Sequence, residues 1–113
     1  MSDITILTET ADPTIIASGQ YRVLMENERV RVPDYRSRPG EQSIMHWHPA
    51  CLVYVIRPAK MLITTPDGLR REVDLLAGEL LWRDDMSHAV ASIGNSETHL
   101  LVIELKDQAR SEH

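Results

Sequence analysis

Two histidines, His46 and His48, stand one residue apart in "SIMHWHPACLVYVI", and a third, His88, opens the later stretch "HAVASI". On an extended strand residues i and i+2 share a face, roughly 6–7 Å apart. Both imidazoles of the pair can therefore point one way while Trp47 points the other. Neutral imidazoles ligate divalent first-row metals, and three that converge on one ion leave coordination positions open for water or substrate. A bare His-x-His is also what two half-exposed polar residues on a strand look like. His88, on a strand that an antiparallel barrel can bring beside the pair, tips the reading toward a metal site.

Weaker candidates lie around these three. Cys51, the sole cysteine, is read as a small buried hydrophobe rather than a ligand. Over Leu52–Ile56 the inward set is either Cys51, Val53 and Val55 or Leu52, Tyr54 and Ile56; in the second case the Tyr54 phenol could hydrogen-bond a bound oxygen atom. Glu104, near the end of the chain's last apolar run, is read as an outward, solvated charge. Turned inward, it would be an acceptor behind a ligand, or a general base. Met45, Trp82 and Met86 are read as ordinary core, His99 as partly exposed, and His113 as without a role.

The elements that must position these residues are short apolar or alternating runs. Predicted strands are Tyr21–Met25, Val30–Arg36, Ser43–Trp47, Leu52–Ile56, Lys60–Thr64, Arg70–Leu75, Glu79–Trp82, His88–Ile93 and His99–Leu105. Turn residues separate them at Arg38-Pro39-Gly40, Pro66-Asp67-Gly68, Ala77-Gly78 and Gly94-Asn95. That rhythm predicts an all-β sandwich or barrel. A helix finds room only over Asp12–Gly19 or in the polar tail after Lys106.

The 113 residues make one domain, with a barrel over 20–105, an N-terminal arm over 1–19 and a polar tail over 106–113. A net charge of −5 argues against nucleic-acid or anionic-membrane partners. No basic-then-apolar leader and no run of about 20 apolar residues is present. With a single cysteine, a reducing cytoplasm is the expectation.

Gly40-x5-His46-x-His48 and Gly78-x9-His88 resemble the two motifs of the cupin family, in the same order and with a strand and a hairpin between them. The resemblance covers about residues 20 to 105. It implies a double-stranded β-helix, or jelly-roll barrel, and a metal held by His46, His48 and His88. The chain departs from the family pattern where a glutamate ligand usually follows the pair: Leu52 and Val53 stand there. Arg83, Asp85 and Ser92 replace the usual proline, glycine and asparagine of the second motif, and Arg57-Pro58 replaces a glycine turn.

Three neutral imidazoles without a carboxylate leave a divalent ion with a charge near +2, which attracts an anionic, chelating ligand. In its ligand set the chain resembles three-histidine cupin dioxygenases, which implies one divalent metal per chain, Fe(II) first, with Zn(II), Ni(II), Mn(II) or Cu(II) also suited to imidazole. The implied function is a mononuclear metalloenzyme acting on a small chelating organic acid, diketone or thiol. The alternative is a non-catalytic ligand-binding or structural cupin, such as an accessory protein of β-alanine-like amino-acid catabolism. Similar small cupins pair, so a homodimer is expected, with "TIIASG" in the arm as a strand laid across the partner.

Overall fold

The computed structural model describes residues 19–106. Within them nine strands and no helix form: β1 (Tyr21–Glu26), β2 (Val30–Ser37), β3 (His46–His48), β4 (Cys51–Arg57), β5 (Ala59–Thr64), β6 (Arg70–Leu75), β7 (Leu80–Arg83), β8 (Met86–Ser92) and β9 (Thr98–Leu105). The described residues therefore contain no helix long and apolar enough to cross a membrane. The arm before residue 19, with its candidate helix and edge strand, and the tail after Lys106 lie outside the described residues.

All strand pairings are antiparallel, in a five-stranded sheet of order β1-β2-β9-β4-β7 facing a four-stranded sheet of order β3-β8-β5-β6. Sequence-distant strands are neighbours in both sheets, as a double-stranded β-helix requires. The two inner faces meet in a core of Tyr21, Tyr35, Cys51, Val53, Val55, Ala59, Met61, Leu75, Val90, Leu100 and Val102. Burying one such aliphatic side chain is worth about 1.5–3 kcal/mol, and this face holds the sheets together.

Alternation decides which side chains reach the interior; in β4 it selects one of two open sets, against Tyr54 as a site residue, and in β9 it corrects the expectation for Glu104. In β4 the buried set is Cys51, Val53 and Val55, so Tyr54 is 41% exposed on the outer face and its phenol points away from the histidines. In β9 the buried set is Thr98, Leu100, Val102 and Glu104. Glu104 is 2% exposed, not a solvated charge. Alternation held in both strands; in β9 the inward face is the one opposite to that expected.

The predicted strand over Ser43–Trp47 begins only at His46. Before it, residues 40–43 are stitched to β8 by Gly40 N–H to Ser92 O (2.8 Å), Ser92 N–H to Glu41 O (2.9 Å) and Ser43 N–H to Val90 O (2.8 Å). Gly40 and Gly78, the glycines ahead of the two histidine motifs, both have φ +87°, a conformation that a side chain disfavours. The chain can thus turn sharply before each run that carries the histidines.

Candidate metal centre

His46 and His88 sit directly opposite one another in the β3–β8 ladder, and His48 lies two residues along β3 on the same face. All three are buried, at 1%, 5% and 8% exposure. Their rings stand 4.9, 4.9 and 5.1 Å apart between centroids, each nearly perpendicular to the other two (79–88°). One ligand atom from each lies within 4.8 Å of those of the others, close enough for one ion to be shared.

Hydrogen bonds orient two of the rings. His46 Nδ1–H donates to the Ile44 carbonyl at 2.8 Å, and His48 Nδ1–H donates to Glu104 Oε2 at 3.1 Å. A carbonyl or carboxylate only accepts, so each Nδ1 carries a proton, and Nε2 is the nitrogen that can offer a lone pair to an ion. Both nitrogens of His88 are buried without a hydrogen-bond partner among the described residues. Leaving such a group unsatisfied costs about 1–3 kcal/mol, which coordination to a metal would recover. The donor set fits a divalent first-row ion.

Burial keeps His46 and His88 neutral. Burial, reinforced by His48, holds His46 down to about 4; burial, reinforced by His48, His46 and Arg83, holds His88 down to about 3. Burial pushes the Cys51 thiol up to about 11, so it stays protonated and apolar, as its buried reading requires.

Glu104 stands one step behind the histidines. Its Oε1 accepts from Arg31 Nε at 2.8 Å while its Oε2 holds His48. Sequence reasoning missed Arg31, although register pairs it directly with Glu104 across β2 and β9. It also missed Tyr21, whose hydroxyl lies 3.4 Å from Nε2 of both His46 and His48. The Tyr21 ring packs on Tyr35 at 4.7 Å between centroids, and burial raises its phenol well above the ordinary range, so it remains a donor. Neither residue belongs to a spacing motif, and only the β1–β2–β9 pairing brings them in.

Beside the histidines is a cavity of about 50 Å³, lined mostly by apolar side chains such as Val53, Met61, Leu81, Met86 and Val102, with Arg83 at one side. That is room for about three or four waters, or a ligand of a few heavy atoms. Met86 therefore lines this space, while Met45 and Trp82 are 39% and 54% exposed on the outside rather than core. His99 is partly buried away from the cluster, with Nε2 2.6 Å from Asp34 Oδ1.

No protein-family model matches the chain, and no curated protein matches it by sequence. Solved structures do match. A cupin domain from Bordetella pertussis Tohama I is 28% identical with a TM-score of 0.70, over 76% of this chain and 91% of that one. An RmlC-like cupin with a double-stranded β-helix fold from Methanocaldococcus jannaschii is 16% identical with a TM-score of 0.59, over 82% and 86%. The polyketide cyclase RemF from Streptomyces resistomycificus is 21% identical with a TM-score of 0.56, over 75% and 63%. With its strand order and these structural matches, the chain has the double-stranded β-helix fold of the cupins.

Proposed function

We propose that the chain is a mononuclear metalloenzyme of the dioxygenase type, with His46, His48 and His88 holding one divalent ion and a small chelating acid, diketone or thiol as substrate. The observation that carries this reading is the buried triangle of imidazoles, one of them, His88, with no partner for either nitrogen among the described residues. When bound, Fe(II) would supply one-electron chemistry with O₂, and Zn(II), Ni(II), Mn(II) or Cu(II) would supply Lewis acidity.

The chain's own residues account for the rest. Ile44 and Glu104 hold the His46 and His48 rings so that Nε2 faces the centre. Glu104 brings its charge near the site, but Arg31 neutralises it, so the net charge of the ion is left for an anionic ligand. Tyr21, still protonated, has an O–H at the same spot to donate to that ligand. Cys51, Val53 and Met86 give the cavity an apolar wall. The solved structures that share the fold include a polyketide cyclase, so the fold is compatible with more than one chemistry and the reaction is argued from the site.

Elemental analysis of the purified protein tests the metal reading. One ion per chain in the wild type, lost in His46→Ala, His48→Ala and His88→Ala, supports it; a metal-free wild type, or metal that survives all three changes, refutes it. Oxygen uptake by the Fe(II) form with diketones, thiols and amino acids tests the chemistry. Silence across that panel leaves a metal-binding, non-catalytic cupin as the better reading.

A further inference from the structure

On β7 alternation sends Leu80 and Trp82 outward and Leu81 and Arg83 toward the interior. Register then sets four residues in one row across the five-stranded sheet: Arg31 opposite Glu104, Glu104 opposite Cys51, and Cys51 opposite Arg83. The charges along that row do not cancel. Glu104 is engaged by Arg31 at 2.8 Å and by His48 at 3.1 Å, and Cys51 is a neutral spacer. Two strand spacings, about 10 Å, separate the Arg83 backbone from that of Glu104.

Arg83 has no carboxylate within ion-pair distance among the described residues. Its Nη1–H makes only a weak contact, to Met86 Sδ at 3.9 Å, among the described residues. The nearby Asp84 is occupied by Trp82 Nε1–H at 3.0 Å. Among the described residues Arg83 is thus the one cationic side chain lining the cavity, beside a wall of apolar side chains, two tyrosines and imidazole. In a chain of net charge −5, an anion is repelled at long range, so an uncompensated guanidinium inside is a local pole of opposite sign. Its planar fork of donors matches a carboxylate, which it can take with two parallel hydrogen bonds.

We propose that Arg83 anchors the carboxylate of a small organic acid whose other end is turned toward the three histidines. The cavity of about 50 Å³ limits that acid to a short chain, and the Met86 and Leu81 side chains suit an apolar body. This names the substrate class of the metal site proposed above and rests on that reading for what the far end meets. The carboxylate subsite itself needs only Arg83.

Titration of the purified protein with propionate and with the isosteric, neutral propionamide, by calorimetry or ligand-observed NMR, tests the subsite. Wild type is expected to bind the acid in preference to the amide. Arg83→Met is expected to lose about ten- to hundredfold in acid affinity, the range of a charge-assisted hydrogen bond, while metal content and amide binding stay unchanged. Arg83→Lys, which keeps the charge but not the fork, is expected between the two. Equal acid binding by wild type and Arg83→Met, equal binding of acid and amide by wild type, or no acid binding at millimolar concentration overturns the proposal. Should Arg83→Met fail to fold, the Arg83→Lys variant and the acid–amide comparison in the wild type still decide. Metal retained with Arg83-indifferent acid binding sinks this subsite alone; acid binding that depends on Arg83 in a metal-free wild type sinks the metal reading alone.

Discussion

Consider the metal-free protein taken from pH 7 to pH 5. In the unfolded chain each histidine titrates near about 6.5. In the folded chain burial, helped by the neighbouring imidazoles, holds His46 down to about 4 and His88 to about 3. Below about 6.5 the unfolded chain therefore takes up two protons that the native state refuses. The sign follows: stability is fully present above about 6.5 and drains away as the pH falls toward the folded values. Integrated from pH 7 to 5, the two sites together remove about 4 kcal/mol, a large part of the roughly 5–15 kcal/mol that holds a domain. Asp34 does not interfere: burial would raise its carboxyl, but hydrogen bonds from His99 and Arg36 outweigh that and hold it below the usual range, under this window. Urea unfolding in EDTA, followed by circular dichroism at a series of pH values, measures the effect. A His46→Gln/His88→Gln variant is expected to flatten the slope. An unfolding midpoint that stays put between pH 7 and 5, or that moves as much in the double variant, would show that the two imidazoles are not held neutral by the fold.

Three further outcomes are expected. Glu104→Gln removes the buried carboxylate that Arg31 and His48 share and is expected to cost about 3–5 kcal/mol in stability. It is also expected to lower metal affinity about 10–100-fold, measured by competition with a chromogenic chelator; unchanged affinity would leave Glu104 without a part in the site. Tyr21→Phe keeps the ring on Tyr35, so metal content should hold while the affinity for a bound anion falls about tenfold, and an unaltered anion titration would remove the phenol from the site. If two copies pair as the sequence reading expects, the surface available is the outer face of the five-stranded sheet, where rows Ile103–Leu52–Trp82 and Leu101–Tyr54–Leu80 run across β9, β4 and β7. Leu80→Lys/Trp82→Lys should then sediment as a monomer and wild type as a dimer; a monomeric wild type ends that expectation.

The strands were legible because Val, Ile, Leu and Thr alternate between turn residues, and the histidines because their spacing matches a strand's period. What alternation does not say is which of its two sets lies inside. In β9 the set Leu100, Val102 and the set Leu101, Ile103, Leu105 are equally apolar, so hydrophobicity could not place Glu104. β4 posed the same choice for Tyr54. Pairing between strands far apart in sequence decides both, and one signal was there to be used: Glu104 has a cross-strand partner of opposite charge in Arg31. Tyr21 and Arg83 carry no motif at all. They matter through where the sheets put them, beside imidazoles contributed by other strands.

β3 has three residues, pairs with β8 alone and forms the edge of its sheet, yet it carries two of the three imidazoles. The donors thus ride on the strand with the fewest ladder bonds, and such elements open locally at low free energy while the core stays closed. His48 also ties that strand, through Glu104 and Arg31, to the opposite sheet. Loading the site would therefore rivet a fraying edge to both walls of the barrel. Amide hydrogen exchange at Trp47 and His48 is then expected to slow when the site is loaded, a local gauge of occupancy on the edge strand.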